Sequence, residues 1–343
     1  MLTSDSANPP DFESIFEQTP LTTRVSGTSR SNTILITGAQ GMLGHGLAVA
    51  IIALNNIETV NKFQIILSSR QWSDSSTKFW KNYKNYKLIN NEEIPNIKQQ
   101  IDLVIHTASP SNITQIKSFE ELEWANLGLL REILKLHPQK VVYISTGEVY
   151  GGGKNDEESV LSGFSKSRIR DWYPMTKLAA EDELSAFQRK HEIEVCVIRL
   201  FHTFGPGVKQ NDGRSFADVL WGATLRNEIS LKSKGDQVRS FLYLSDALDG
   251  IMNVAFIKRP GLNVVNLGSA IPTSILEFAK IAAEITCSKI SFESAETFPH
   301  SPNKTIVPCV DRLSLLGWSQ RVTLENGIRR TINWIRGSTL AKK

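Results

Sequence analysis

The segment 33–53 constrains this chain more than any other. Thr33-Ile34-Leu35-Ile36-Thr37 is a short, β-rich apolar run, followed at once by Gly38-Ala39-Gln40-Gly41-Met42-Leu43-Gly44 and a long apolar helical stretch to Ala53. The pattern is strand, glycine turn, helix. Glycines let the backbone approach a pyrophosphate, while the helix amino terminus offers unsatisfied N–H groups and the positive end of a dipole. The same spacing also fits an ordinary tight turn. The strand before it and the helix after it favour a dinucleotide held at Gly38, Gly41, Met42 and Leu43.

A second strand, 63–67, runs into Ser68-Ser69-Arg70. An acid at this strand end would bind the two ribose hydroxyls of NAD, and none is present. Ser69 and Arg70 suit a 2′-phosphate better, since arginine pairs bidentately with phosphate oxygens. NADP is therefore favoured over NAD. Residues 72–91 are polar with interspersed aromatics (Trp80, Tyr83, Tyr86) and carry no clear period. Residues 101–105 form another buried strand ending His106-Thr107-Ala108-Ser109-Pro110, and the small Thr107, Ala108 and Ser109 permit close approach of a cofactor. Apolar residues at helical spacing make 119–136 a crossover helix.

Residues 141–144 (Val-Val-Tyr-Ile) read as a strand buried on both faces. It ends abruptly in the hydroxyls of Ser145 and Thr146, followed by Glu148 and Tyr150-Gly151. A strand that finishes in polar residues is how an open α/β sheet presents chemistry at its carboxyl edge. Farther on, Tyr173 and Lys177 lie four apart on a helix reaching to about Lys190, and so share a face. An ammonium beside a phenol stabilises the phenolate, which would make Tyr173 usable as an acid or base near neutral pH. On an arbitrary helix such a pair usually faces solvent.

The next buried strand, 194–200, leads to His202, more often a hydrogen-bonded structural residue at such a place than a base. A helix begins around 212–216, with Arg214 at its start, and a short strand covers 229–232. The turn carrying Arg239 reads either as surface or, more sharply, as a phosphate clamp. A last strand at 264–267, a helix at 274–286 and an amphipathic closing helix at 324–335 complete the chain.

A net charge of +4 with scattered Lys and Arg is too mild for a nucleic-acid partner. The longest apolar run, 47–54, is far short of a membrane span. The three cysteines, Cys196, Cys287 and Cys309, show no metal-ligand spacing and match a reduced, cytoplasmic setting. The first residues lack the positive-then-apolar order of a signal. Residues 1–31, rich in Ser, Thr and Pro, are expected to form an outer arm and linker with no catalytic part.

Taken together, Thr37 to Gly44, His106-Thr107-Ala108-Ser109, Ser145 to Gly151, Tyr173-Pro174-Met175-Thr176-Lys177, Arg199 with Gly205-Pro206-Gly207, and Arg239 to Tyr243 with Asp246 resemble the extended short-chain dehydrogenase/reductases. Within these, the similarity is to the NAD(P)-dependent epimerase/dehydratase family acting on nucleotide sugars. The resemblance implies an α/β fold: a doubly wound, parallel-sheet Rossmann domain with a smaller α/β substrate-binding lobe. The first would take 32–200 and be completed by about 241–270. The second would take 201–240 and 271–343.

The resemblance implies that Thr146 hydrogen-bonds the sugar O4 while Tyr173 removes its proton, and that Lys177 holds the nicotinamide ribose. Hydride leaves C4 of a nucleoside-diphosphate hexose, giving a 4-keto sugar. Arg239 would hold the diphosphate, with His202 and Arg214 as further substrate contacts. Glu148 marks the branch point: simple 4-epimerases usually lack an acid here, whereas a Thr-x-Glu triplet recurs in 4,6-dehydratases and in UDP-glucuronate decarboxylases, and in the dehydratases that glutamate takes the C5 proton. Gly147 stands where some dehydratases carry Asp, and His202 where the family often has Asn. The expected reaction is of 4,6-dehydratase type. The alternatives are 4-epimerisation, decarboxylation of a UDP-glucuronate-like sugar, NADPH-dependent 4-ketoreduction, and a silent cofactor-sensing scaffold. No metal is expected, and a homodimer through the helices after Phe119 and Tyr173 is.

Overall fold

A computed structural model describes residues 33–57, 63–110, 116–151, 155–156, 163–210, 212–258, 262–293 and 305–340. The arm expected over 1–31 and the glycine run 152–154 lie outside the described residues.

β1 (Thr33–Thr37) buries every residue. Ile34 and Ile36 face one apolar cluster and Leu35 the other, as expected of a strand covered on both sides. α1 (Met42–Ile57) follows, then β2 (Gln64–Ser69), α2 (Asp74–Trp80), β3 (Tyr86–Asn90) and β4 (Leu103–His106). A helical run covers Phe119–Glu123 (α3), a π-helical turn Trp124–Gly128, and Leu129–Leu134 (α4). β5 (Lys140–Thr146), α5 (Ile169–His191) and β6 (Glu194–Leu200) come next. After β7 (Thr203–Phe204), α6 (Ser215–Leu225), β8 (Glu228–Leu231), β9 (Val238–Ser240), β10 (Leu242–Tyr243) and α7 (Leu244–Phe256), the chain reaches β11 (Leu262–Leu267).

Seven strands form one sheet in the order β11-β6-β5-β4-β1-β2-β3, every pair parallel. The chain leaves β1 toward β2 and β3, then returns to place β4, β5 and β6 on its other side. Between β1 and β4 the winding direction reverses, which opens a crevice at their carboxyl ends. α1 and α7 cover one face; α4, the π turn and α5 cover the other.

Three short strands follow β11, where the sequence suggested that the strands ended: β12 (Pro272–Ser274), β13 (Lys289–Phe292) and β14 (Thr305–Ile306). Each pairs outside the large sheet, β13 with β8 and both β12 and β14 with β9. Helices α8 (Ile275–Thr286), α9 (Asp311–Ser314) and α10 (Leu324–Leu340) complete the described chain. α6, α8 and α10 pack on one another, around rings such as Phe241 and Phe278, whose centroids are 4.7 Å apart.

The polar stretch 72–91 folds into α2 and β3. Ser73 caps α2 by accepting from the Ser76 amide, and Trp80 is buried among Phe79, Tyr83 and Tyr86. β3 is an edge strand with only Ile89 buried, so it lacks the apolar run that announces the inner strands.

Candidate active site

The cofactor cradle is built by the β1–α1 turn. Gly38 has φ +69°, and a Cβ at Gly44 would lie 2.4 Å from the Gly38 carbonyl oxygen and 2.9 Å from Thr107 Oγ1. Only glycine lets the first turn of α1 sit this close to the strand end. Gly41 is exposed, Met42 and Leu43 are half-buried, and the first-turn amides of α1 have no intrahelical acceptor. Thr107 Oγ1 donates to the Thr37 carbonyl at 2.7 Å, tying the ends of β4 and β1 together across the crevice. A pyrophosphate fits this arrangement of small residues and free amide ends.

The expectation for Ser69 changes here. Its hydroxyl is committed within the protein: it donates to the Gln71 carbonyl at 3.1 Å and accepts from Gln40 Nε2 at 2.9 Å. Ser69 is also buried, whereas Arg70 is exposed at the strand end. Of the expected 2′-phosphate pair, only Arg70 stays open to solvent.

Thr146, Glu148, Tyr173 and Lys177 come together at the carboxyl end of β5. Thr146 Oγ1 accepts from the Glu148 amide at 3.2 Å and so caps the single helical turn Gly147–Tyr150. Gly147 has no room for a side chain, since a Cβ would lie 2.7 Å from the Phe201 ring. Glu148 is open to solvent yet ringed by protein, as a group on a cleft floor is. That enclosure raises its carboxyl above the ordinary range, opposed by the charges of Arg214 and Arg239.

Lys177 Nζ donates to the Ile144 carbonyl at 3.0 Å and lies 4.9 Å from the Tyr143 ring centroid and 5.7 Å from that of Tyr173. Burial lowers its pKa to about 7, opposed by Glu181. Tyr173 is pushed up to about 12 by burial first and by the Glu148 charge second, while a hydrogen bond with Ser109 and the Arg214 charge pull the other way. Enclosure thus opposes the phenolate expected from the Tyr173–Lys177 spacing. The ammonium is itself desolvated and bonds a backbone carbonyl, so it does little for the phenol.

One participant had no sequence signal. The π turn directs Asn126 inward, where Oδ1 accepts from Ser109 Oγ at 2.8 Å and Nδ2 donates to Thr176 Oγ1 at 2.9 Å. Thr176 Oγ1 in turn donates to the Tyr173 carbonyl at 2.9 Å. Ser109 thus touches both Asn126 and the Tyr173 side chain, besides edging the cradle with Ala108.

His202, Arg214 and Arg239 line the opposite wall. Arg239 is buried and donates to the Val238 carbonyl at 2.8 Å and Gln237 Oε1 at 3.1 Å. Arg214 is exposed, pairs with Asp212 and lies 4.8 Å over the Phe216 ring. His202 Nδ1 is buried without a hydrogen-bond partner among the described residues. Burial, then Arg239 and Arg214, lower its pKa to about 3, which keeps the imidazole neutral. Among the described residues no group of three or more His, Cys, Asp or Glu could hold a metal ion, and no helix is long and apolar enough to cross a membrane.

A sequence profile of the NAD dependent epimerase/dehydratase family matches residues 34–268, spanning the cradle, the β5 floor, Tyr173, Lys177 and Arg239. The chain belongs to that family. Proteins similar to it include UDP-glucuronic acid decarboxylase 1 of Xenopus tropicalis, 28% identical over 313 residues, covering 88% of this chain and 72% of the relative. UDP-glucuronic acid decarboxylase 5 of Arabidopsis thaliana is 25% identical over 304 residues, with 86% of each chain covered. Among solved folds, a UDP-glucuronic acid 4-epimerase of Bacillus cereus bound to NAD superposes with a TM-score of 0.76 at 20% identity, covering 89% of this chain and 99% of that one. A dTDP-glucose 4,6-dehydratase of Bacillus anthracis with NAD gives 0.74 at 20% identity, with 90% and 97% covered. The chain is thus an NAD-dependent enzyme of the epimerase/dehydratase family.

Proposed function

We propose that this enzyme oxidises C4 of a nucleoside-diphosphate hexose and then eliminates water across C5 and C6, a 4,6-dehydratase-type reaction. The observation that carries the reading is the placing of Glu148 in the same cleft as Thr146 and Tyr173, close enough for its charge to raise the tyrosine. Gly38, Gly41, Met42, Leu43, Thr107, Ala108 and Lys177 would hold the dinucleotide, with exposed Arg70 favouring NADP. The oxidised nicotinamide supplies a hydride acceptor and a positive charge.

Tyr173 starts as a phenol and would release its proton to solvent before it can act as the base. It takes the O4 proton while the Thr146 hydroxyl bonds O4, and loss of the C4 hydride leaves a 4-keto sugar. The ketone acidifies C5–H. Glu148 takes that proton and returns it to the departing C6 hydroxyl, which leaves as water; hydride given back at C6 and a proton at C5 would then close the redox cycle and leave a 4-keto-6-deoxy sugar. With no acid at position 147, one carboxyl group serves both transfers. Arg239 and neutral His202 hold the nucleotide diphosphate and sugar.

A second reading has support in Arg214, an exposed guanidinium whose charge acts on Glu148 and would suit a C6 carboxylate, and in the relatives named UDP-glucuronic acid decarboxylases. A 4-keto uronic acid loses carbon dioxide without a base at C5, so Glu148 separates the two. With UDP-, dTDP-, GDP- and CDP-hexoses and uronic acids and either cofactor, product analysis of Glu148→Gln should show elimination reduced about 100-fold while C4 oxidation persists. Elimination at the parent rate removes Glu148 as the base, and turnover of uronic acids alone favours decarboxylation. We also place a homodimer contact on the α3–α5 side.

A further inference from the structure

A buried polar network lies directly behind the cleft floor. Glu181, one turn after Lys177 on α5, and Arg199 on β6 are 8% and 4% exposed. Arg199 Nη2 meets Glu181 Oε2 at 2.7 Å, and Arg199 Nε reaches both carboxylate oxygens at 3.3 Å. Ser145 Oγ donates to Glu181 Oε1 at 2.5 Å. On the other side Arg199 Nη1 donates to the Tyr150 hydroxyl at 3.2 Å, and that hydroxyl donates to Asn266 Oδ1 at 2.7 Å. Asn266 Nδ2 then donates to the carbonyls of Asn155 at 2.8 Å and Cys309 at 3.0 Å.

Ser145 and Tyr150 bracket the segment that carries Thr146 and Glu148. Both ends of that segment are therefore tied to one charged pair, which also anchors the backbone at Asn155, Cys309 and β11. A buried ion pair is poor value as a stabiliser, because desolvating two charges offsets most of their attraction and apolar residues of similar volume do as well. The fork of Arg199, with donors in fixed directions, gives orientation that an apolar pair cannot.

We propose that Glu181 and Arg199 are positioning residues, which touch no substrate but fix Ser145, Tyr150 and the intervening Thr146 and Glu148 in the geometry that meets the sugar ring. This rests on the reading of Thr146, Glu148, Tyr173 and Lys177 as the reacting set. The same pair has a second effect on the cleft. The groups facing Lys177 are Tyr173 and Glu181 on its own helix, Tyr143 on β5 and His106 on β4. Of these, Glu181 is the one that favours the charged lysine.

The test compares the full-length protein with Glu181→Gln, which keeps the hydrogen-bonding shape and removes the charge, and with Arg199→Lys, which keeps the charge and removes the fork. Near-UV circular dichroism checks the fold. The 13Cε resonance of Lys177, assigned by its loss in Lys177→Met, gives the lysine titration without any turnover. Both variants should lose about 100-fold in kcat for the nucleotide sugar with KM within about threefold, as expected of misplaced but intact reacting groups. Glu181→Gln should also lower the Lys177 midpoint by about one pH unit, whereas Arg199→Lys should leave it in place. A folded Glu181→Gln with the parent midpoint, or Arg199→Lys with the parent kcat, overturns the proposal. Should Glu181→Gln fail to fold around an unpaired Arg199, Arg199→Lys decides alone. A parent protein that turns over no nucleotide sugar defeats the reaction reading, while the Lys177 titration still judges the role of Glu181.

Discussion

Tyr173 is raised to about 12 because enclosure and then the Glu148 charge oppose the phenolate. The spacing of Tyr173 and Lys177 was readable in the sequence, since i and i+4 share a helix face wherever the helix sits. Their ionisation was not, because it depends on how much of the surrounding protein excludes water. The same exclusion acts on three histidines: burial lowers His45 to about 4, and His106 and His202 to about 3, from 6.5. Below pH 6.5 the unfolded chain takes up protons that the fold refuses, so each histidine removes stability as pH falls from 6.5 toward its folded value. Lys177, lowered from 10.5 to about 7, tilts the same way at higher pH, its penalty fading as pH rises from 7 toward 10.5. Glu148 and Asp246, raised by burial, oppose this only around the carboxylate range. The melting temperature of the cofactor-free protein should therefore drop between pH 7 and pH 5. His45 packs 4.6 Å from Phe79 and 4.8 Å from Trp80 by ring centroids, so His45→Phe should keep the packing and show a smaller drop. Equal drops in both proteins would exclude His45 as a contributor.

At the level of elements, the β1–α1 turn was legible because its constraint is local: a positive φ at Gly38 and a backbone contact within seven residues. Gly44→Ala should force α1 away from the Gly38 carbonyl. We expect at least a tenfold loss of NAD or NADP affinity by calorimetry, about 1.4 kcal/mol or more; unchanged affinity would show that the turn can relax. The run 119–136 reads as one helix, yet the structure inserts a π turn that brings Asn126 to Ser109 and Thr176. The π turn is a single short turn of five residues, too few to set an apolar period of its own. β3 escaped notice for a different reason. An edge strand needs few apolar residues, and only Ile89 is buried. Glu181 and Arg199 lie on separate elements, and only the parallel packing of β5, β6 and α5 brings them together.

For the whole molecule, alternating strands and helices prescribe a parallel sheet, and the observed β3-β2-β1-β4-β5-β6-β11 order puts the candidate site residues along one carboxyl edge. The α3–α5 side leaves Trp124 72% exposed and Ile169 62% exposed, next to the Phe119 and Trp172 rings, 6.4 Å apart. Large apolar residues left open on neighbouring helices suit a two-fold contact between copies. Trp124→Asp combined with Ile169→Asp should convert a dimer to a monomer in sedimentation velocity, with the circular dichroism spectrum unchanged. A parent protein that sediments as a monomer would remove this assignment.

The Phe201 ring against Gly147 also bears on how such an enzyme can diversify. Any side chain at 147 would strike that ring, since a Cβ there falls 2.7 Å away. An acid at 147 therefore requires the ring to move or a smaller residue at 201, which ties the two positions together. Phe201→Ala should make room for Gly147→Asp, so the double variant should melt higher than Gly147→Asp alone; equal melting temperatures would show that the ring yields on its own.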